Sequence, residues 1–295
     1  MAKKTALHAD ASHPLTGTEG PDVLFGSNGA DLIGGRGGND ILVARAGDDR
    51  IFGDNIGQPD GPFDAGPLPP EFGGSPGNNL IFAGAGDDFV TAGFGADIVF
   101  GGAGDDEIRG YGAFAGSTTA TAEVISADAS DRLFGEKGDD LVYGGGDEDV
   151  LDGGPGKDTL IGGVDVDTLI GGEGTDVFAF GFGQEPFSFR FSLDTGVGPG
   201  NRDIILDFRD GEDKIDLSFA RPTGRGGALP PEFIDTDAFE VNFALQVRHT
   251  IEDNRTIVQF ATYTGNPLSP PFPSGPSGEI ELVGIHYLTE NDFIF

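Results

Sequence analysis

Aspartate recurs at every ninth residue through long blocks of the first two thirds of the chain. Each copy stands two residues before a large apolar residue and follows a run of glycines. Carboxylate oxygens, together with the carbonyl oxygens of a tight turn, are the hard ligands that Ca²⁺ prefers. The sequence therefore predicts a series of calcium ions. The candidate ligands are Asp22, Asp31, Asp40, Asp49, Asn79, Asp88, Asp97, Asp106, Asp131, Asp140, Asp149, Asp158, Asp167 and Asp176.

These residues belong to a nine-residue repeat, G-G-x-G-x-D-x-U-x, in which U is a large apolar residue. Thirteen copies are clear, and twelve of them have Asp at the sixth position, with Asn79 as the exception. A degenerate fourteenth copy near Ser126 supplies Asp131 and Leu133. Six residues of each copy suit a glycine-rich turn, and three suit a short strand whose eighth residue points into a thin core.

Successive turns of such a solenoid lie on opposite sides, so residues eighteen apart share a side. The predicted pairs are Asp22–Asp40, Asp31–Asp49, Asn79–Asp97, Asp88–Asp106, Asp131–Asp149, Asp140–Asp158, Asp149–Asp167 and Asp158–Asp176. The alternative is that these residues only form turns, but chance turns do not hold one register. The acids at the fifth position are expected to be solvated; they are Asp48, Asp87, Asp105 and Asp139.

The repeat resembles the calcium-binding nonapeptide of RTX, or hemolysin-type, proteins. The resemblance implies an all-β fold, a parallel β-roll that is a calcium-binding nonapeptide solenoid. The segments Asp203–Phe219 and Gly278–Phe295 resemble the region after the repeats in serralysin-type RTX domains. That likeness implies an uncleaved C-terminal signal for type I secretion, a secreted and extracellular protein, and folding when the exported chain meets Ca²⁺.

The chain divides into three expected regions. Residues 1–16 form a flexible N-terminal leader, 17–179 form the β-roll, and 180–295 form an antiparallel β cap with the secretion signal. Insertions at 53–73 and 110–125 are expected to leave the roll as loops. The candidate strands of the cap are Asp203–Phe208, Phe239–Val247, Thr256–Tyr263 and Glu279–Val283.

Alternation along the strands predicts an apolar stripe on the outer face of one sheet. It consists of Val23, Phe25, Ile41, Val43, Leu80, Phe82, Ile98, Phe100 and Phe134. The other sheet has a mixed outer face with Arg50, Thr91, Glu107, Arg109 and Thr159. A long apolar stripe is expected to be covered by an insertion, by the C-terminal region, or by a second copy or a surface ligand.

The composition excludes several classes of protein. A formal net charge of −33 is incompatible with the basic patches that nucleic acids and anionic membranes require. Cysteine is absent, which excludes disulfides and thiolate metal sites. No apolar stretch is long enough for a transmembrane segment, and the N-terminus lacks the apolar core of a Sec signal peptide.

No sequence motif indicates an enzyme. The chain has no His-Glu-x-x-His motif, and the G-x-S-x-G match around Ser75 stands in a Gly/Pro-rich loop. Three functions remain: a secreted structural or surface-associated calcium-binding protein; an adhesion, polysaccharide-binding or ice-binding module; and an enzyme of unrecognised type. The only hint of the third is a set of acids in the C-terminal region, Asp203, Asp207, Asp213 and Asp216. The favoured alternative is that these acids are structural, turn or Ca²⁺ groups.

Overall fold

The computed structural model describes residues 14–54, 77–111, 129–181, 195–219, 232–235, 245–261, 276 and 278–295. The fold is almost entirely β. The strands are β1 Leu15–Thr16, β2 Val23–Phe25, β3 Leu32–Gly34, β4 Ile41–Ala46, β5 Arg50–Phe52, β6 Leu80–Ala85, β7 Phe89–Gly93, β8 Ile98–Ala103, β9 Glu107–Tyr111, β10 Arg132–Lys137, β11 Leu141–Gly145, β12 Val150–Gly156, β13 Thr159–Gly163, β14 Thr168–Gly174, β15 Val177–Gly181, β16 Asp203–Ile205, β17 Lys214–Phe219, β18 Glu232–Phe233, β19 Gln246–Glu252, β20 Arg255–Ala261, β21 Gly278–Val283 and β22 Phe293–Ile294. A 3₁₀ turn spans Glu290–Asp292.

Alternate strands stack into two parallel sheets, as a β-roll requires. One sheet has the order β1-β3-β5-β7-β9-β11-β13-β15-β17-β22, and the other runs from β2 through β14 and β16 into β21-β20-β19-β18. Pairing continues across both insertions, because β4 pairs with β6, β5 with β7, β8 with β10, and β9 with β11. The roll is therefore one unbroken stack.

The eighth residue of each copy forms the core. These side chains are fully buried: Leu24, Ile33, Leu42, Ile51, Ile81, Val90, Val99, Ile108, Leu133, Val142, Leu151, Leu160, Leu169 and Phe178. Each one contributes about 1.5–3 kcal/mol of burial energy in a layer only two sheets thick. Since each rung contacts only its neighbours, the stability of the roll depends on every rung being compatible with the next.

Both insertions interrupt a turn rather than separating two copies. The turn that contains Asn79 begins at Gly53, and the turn that contains Asp131 begins at Gly110, as the contacts of those glycines show. The sequence analysis placed the starts of two copies at Gly74 and near Ser126, which both lie outside the described residues. The turns of these copies instead begin at Gly53 and Gly110, before the insertions, and we call them split turns. The roll also begins slightly earlier than predicted, because β1 at Leu15–Thr16 already pairs with β3.

The apolar stripe lies on the outer face of the second sheet, as predicted. Phe82, Phe100 and Phe134 stack along it with ring centroids 5.1 and 5.0 Å apart, which is close to the strand spacing. Phe82 is 37 % exposed. The insertions predicted to cover the stripe lie outside the described residues, so the covering stays a prediction.

The outer face of the first sheet is mixed, with Arg109 placed over Phe89 and Tyr143.

The C-terminal third extends the roll before it caps it. β16 and β17 continue the two stacks in parallel, and β21 and β22 add one further parallel strand to each. Antiparallel pairing is confined to β19–β20 and β20–β21 in the described part of the chain. The prediction of an antiparallel cap is thus confirmed for β19, β20 and β21. The nine-residue pattern ends at 179, but the parallel architecture does not.

A buried ion-pair network joins this cap to the roll. Arg202 Nε donates to Glu279 Oε2 at 2.7 Å, and its guanidinium also faces Glu252 and Glu281. Burial acts to raise the pKa of Glu279. The hydrogen bonds from Gly198 N–H and Arg202 outweigh the effect of burial and hold the pKa of Glu279 below its ordinary value.

The described part of the chain contains no helix with the length and apolar character of a membrane span.

Candidate metal centres

The sixth-position side chains form two hydrogen-bonded ladders along the two turn edges of the roll. In each ladder, the backbone N–H of one member donates to Oδ1 of the next member on the same side. Ladder one consists of Asp22, Asp40, Asn79, Asp97, Asp131, Asp149, Asp167 and Asp203. Ladder two consists of Asp31, Asp49, Asp88, Asp106, Asp140, Asp158, Asp176 and Asp213.

All eight predicted pairs are neighbours in these ladders, with N···Oδ1 distances between 2.6 and 3.1 Å. The ladders also cross the insertions, where neighbours are 39 or 34 residues apart instead of 18. Sequence reasoning did not extend the ladders to Asp203 and Asp213, because no nonapeptide surrounds them. The only available signal was their place before an apolar alternating run.

The second carboxylate oxygen of the inner members is buried without a hydrogen-bond partner. Among the described residues this holds for Oδ2 of Asp40, Asp49, Asp88, Asp106, Asp140, Asp158 and Asp167. A buried carboxylate oxygen without a partner is costly, since it has lost its water and gained nothing in return. The row of such oxygens is the feature that a bound cation would stabilise.

Main-chain carbonyls face the same positions. A Cβ atom added to the first glycine of a turn would come within 3 Å of the sixth-position Oδ2 and of the first-position carbonyl in the next copy on that side. This holds at Gly17, Gly26, Gly35, Gly101, Gly110, Gly135 and Gly144. Glycine thus keeps open a cradle between a carboxylate and a carbonyl. Within the described ranges, no three His, Cys, Asp or Glu side chains converge as a metal cluster; the converging groups are carboxylate and carbonyl oxygens.

The ionised form of these carboxylates is disfavoured in the metal-free fold. Burial raises the pKa of Asp106 to about 8 and the pKa values of Asp40, Asp49 and Asp158 to about 7, and neighbouring carboxylates add to the effect. The hydrogen bond from the preceding backbone N–H opposes the shift only partly. Oxygen donors, negative charge and an open cradle all fit Ca²⁺. A bound ion would neutralise the paired carboxylates of adjacent turns.

Comparison with protein families agrees with this geometry. The model of the RTX calcium-binding nonapeptide repeat matches residues 15–42, 34–55, 73–108, 126–160 and 152–184. The chain thus contains RTX calcium-binding nonapeptide repeats. Its repeats bind multiple calcium ions, and its fold is the parallel β-roll.

Solved structures similar to this RTX protein include two subunits of a mannuronan C5-epimerase from Azotobacter vinelandii. AlgE6R3 and AlgE6R2 are each 28 % identical over 57 % of this chain, cover 79 % and 88 % of their own chains, and give TM-scores of 0.37 and 0.34. The extracellular lipase LipA from Serratia marcescens is 16 % identical, with a TM-score of 0.25. That match covers 93 % of this chain but only 40 % of the lipase. No curated protein gives a significant match.

Acidification is expected to act in opposite directions on the calcium-free and calcium-loaded RTX protein. Asp40, Asp49, Asp106 and Asp158 have pKa values of about 7 to 8 in the fold against an ordinary 3.8, so their contribution to stability is fully present below about pH 4 and is lost as the pH rises to 7–8. In EDTA, lowering the pH from 8 to 5 should therefore increase the β signal in circular dichroism. With calcium present, protons compete with the ion, and the calcium midpoint should rise about tenfold per pH unit for each proton displaced. A β signal in EDTA that does not respond to pH would contradict the first half.

The side chain of Asn79 does not offer a free oxygen to a cation. Its Oδ1 accepts the N–H of Asp40, and its Nδ2 donates to Ala92 O and to Oδ1 of Asp54. The amide nitrogen thus occupies the place that an unpaired oxygen has in the inner members. Asp54 is buried, shares the split turn with Asn79, and was not singled out from the sequence, because the insertion separates the two residues in the chain. Asn79 was predicted as a ligand; this geometry shows its amide already satisfied.

Replacing Asn79 with aspartate is expected to convert this turn into a calcium-dependent one. The new carboxylate would face Asp54 across about 3 Å, so the calcium-free fold should lose about 2–4 kcal/mol. At saturating calcium the variant should bind one more ion per chain by isothermal titration calorimetry. The exposed neighbour Asn78 gives the matched control, because Asn78→Asp adds the same charge without facing Asp54. Equal effects of the two substitutions would contradict the assignment.

The ends of the ladders and the fifth-position acids differ from the inner members. Oδ2 of Asp22 accepts the N–H and the hydroxyl of Thr18, and Oδ2 of Asp31 accepts the N–H of Ser27. The fifth-position acids are exposed, as predicted, and form a second row whose Oδ1 atoms accept backbone N–H groups. Together with ladder two they line a groove of about 500 Å³.

Proposed function

We propose that this RTX protein is a secreted, structural or surface-associated protein that folds when it binds several calcium ions outside the cell. The observation that carries the proposal is the row of buried carboxylate oxygens without hydrogen-bond partners. The proposed ligands are the sixth-position aspartates predicted from the sequence, extended by Asp203 at the end of ladder one. Asn79 contributes through its turn and not through a free side-chain oxygen.

The charge of the chain supports folding that depends on calcium. With a net charge of −33, and with ladder members only one strand apart, the metal-free roll brings like charges together in a buried edge. The cytoplasm holds little free Ca²⁺ and the extracellular medium holds much more. Binding and folding are then the same event, because the cradle between adjacent turns exists only in the folded state.

Export through a type I system is the second part of the proposal. RTX-repeat proteins are typically exported in this way. An acidic residue followed by three apolar ones, the motif that the sequence resemblance assigns to the type I signal, spans Asp292 to Phe295. In the folded structure Phe293 lies in β22, which pairs with β17, and Asp292 accepts the N–H of Gly211. A signal that is built into the sheet is accessible to a transporter only before folding, which agrees with export of a calcium-free, unfolded chain.

A calcium titration of the purified, EDTA-stripped protein tests the proposal. Far-UV circular dichroism should show a cooperative gain of β signal at sub-millimolar to millimolar Ca²⁺, and calorimetry should count several ions per chain. Mg²⁺ serves as the control, because its smaller octahedral shell does not suit a site of carboxylates and carbonyls and the β signal should not appear. A chain that shows the full β signal in EDTA at pH 7.5, or that binds no calcium, would overturn the proposal. The absence of enzymatic activity stays a prediction.

A further inference from the structure

Ladder two ends beneath an arginine side chain. Arg209 lies in the segment between β16 and β17, and its Nη2 atom reaches back to the last complete nonapeptide turn. Nη2 donates to Gly174 O at 2.8 Å and to Asp176 Oδ2 at 3.1 Å, and it lies 3.4 Å from Asp213 Oδ1. One cationic nitrogen thus contacts a turn carbonyl and the carboxylates of two successive ladder members.

This set of oxygens is of the same kind as the set that faces each inner turn. At Asp140 and Asp158 the corresponding Oδ2 atoms are buried without a hydrogen-bond partner. At Asp176 that atom, on a side chain that is also fully buried, is paired with the guanidinium. The contrast lies between members of one ladder that are eighteen residues apart and share the same turn geometry.

We propose that Arg209 is a built-in cation that takes the place of calcium at the last turn of ladder two, between Asp176 and Asp213. The inference rests on the proposed function, since it assumes that the inner members bind calcium. It adds that the chain itself supplies a positive charge at this end of the roll, which therefore keeps its local structure without metal.

The backbone around Arg209 fixes the side chain in this position. The N–H of Arg209 donates to Asp213 Oδ2 at 2.8 Å, and the N–H of Asp213 donates to Arg209 O at 3.0 Å. The segment is therefore a closed turn whose last residue is also the last member of ladder two. Arg209 also lies 3.7 Å from Glu212, so the cation is shared among three acids and carries no excess positive charge.

A calcium ion at this position would bring positive charge to a place that the guanidinium of Arg209 already occupies. The guanidinium is attached to the turn and loses no translational freedom, whereas a free ion must be bound from solution. Removing the arginine would leave Asp176 buried opposite Asp213 with no counter-charge, which is strongly unfavourable unless a metal ion enters. The substitution should therefore create a calcium site rather than merely weaken the fold.

The test compares Arg209→Gln, Arg209→Lys and the control Arg132→Gln in the full chain. Arg132 is exposed on β10, and its replacement changes the net charge equally. By isothermal titration calorimetry Arg209→Gln should bind one more calcium ion per chain than the wild type. Arg209→Lys, which keeps the charge, and Arg132→Gln should match the wild type. An unchanged stoichiometry in Arg209→Gln would overturn the proposal.

Hydrogen exchange of the wild type in EDTA provides a readout that needs no variant to fold. The N–H of Asp176 donates to Asp213 beside the guanidinium, while the N–H of Asp106 donates to Asp140 at an inner turn. Without calcium, the Asp176 amide should exchange at least about tenfold more slowly than the Asp106 amide. Equal exchange rates would also overturn the proposal. A wild type that binds no calcium at all would instead refute the proposed function, and the two failures are therefore distinguishable.

Discussion

Replacing Gly101 with alanine is expected to remove calcium from one turn of ladder two and to destabilise the roll. The added Cβ would lie 2.5 Å from Asp106 Oδ2 and 2.8 Å from Gly135 O, which are the two oxygens that face each other in the cradle. Neither can retreat easily, since one is on a buried side chain and the other is main chain. Overpacking of this kind costs about 1–3 kcal/mol, and the lost ion adds to it. Calorimetry with calcium should show fewer ions per chain and a lower unfolding temperature.

Gly29 provides the matched control within the same roll. It is the fourth residue of the first turn on the ladder-two edge, and an added Cβ would meet nothing within 4 Å. Gly29→Ala should bind calcium as the wild type does and be neutral or slightly stabilised, because alanine reduces the entropy of the unfolded chain. If the two variants behaved alike, the cradle would not be the calcium position.

The second large effect is expected from Asp106→Asn, with opposite signs in the presence and absence of calcium. Asp106 is shared by two neighbouring pairs, since its Oδ1 accepts from Asp88 and its N–H donates to Asp140. The amide keeps the Oδ1 bond but removes the charge, so up to two ions should be lost and the calcium midpoint should rise by about tenfold or more. In EDTA at pH 7.5 the variant should be more stable than the wild type, because burial raises the pKa of Asp106 to about 8 and the uncharged amide avoids that cost.

Asp105→Asn separates the ladder from general charge effects. Asp105 is the adjacent residue, carries the same charge and is exposed; its Oδ1 accepts only the N–H of Asp139. Its replacement should change the calcium midpoint by less than about twofold. An Asp105→Asn variant that lost as much calcium as Asp106→Asn would show that the whole acidic groove, and not the buried ladder, holds the ions.

The repeat period was sufficient to predict the core and the ladder pairs. In each nine-residue copy the aspartate and the apolar residue are two positions apart. Only one arrangement of the chain, the β-roll, buries both of them in every copy, and Leu24, Asp22 and Asp40 are buried in this way. The period does not depend on distant contacts, because each rung meets only its neighbours. The same locality explains why the pairing across the insertions could not be assigned from spacing alone.

The remaining parts of the site depend on chain segments that carry no repeat. Asp54 contacts Asn79 although 24 residues separate them in the chain, and nothing in the spacing of those two residues indicates the contact. Arg209 reaches Asp176 from a turn whose position is set by β16 and β17. The continuation of parallel pairing beyond residue 179 was missed for a similar reason: β17 has strand periodicity but no complete nonapeptide before it.

The split turns give the roll two edges of different character. Segments without the complete nonapeptide separate Asp54 from Asn79, Tyr111 from Asp131 and Gly181 from Asp203 in the chain, and Asn79, Asp131 and Asp203 all belong to ladder one. Ladder two has no such opening between Asp31 and Asp176. The ladder-two edge is thus uninterrupted by added sequence, whereas the ladder-one edge accommodates added segments without a change in strand pairing. Evolution or protein engineering can therefore lengthen, exchange or decorate the chain at the first edge while the second edge keeps the ion count and spacing constant.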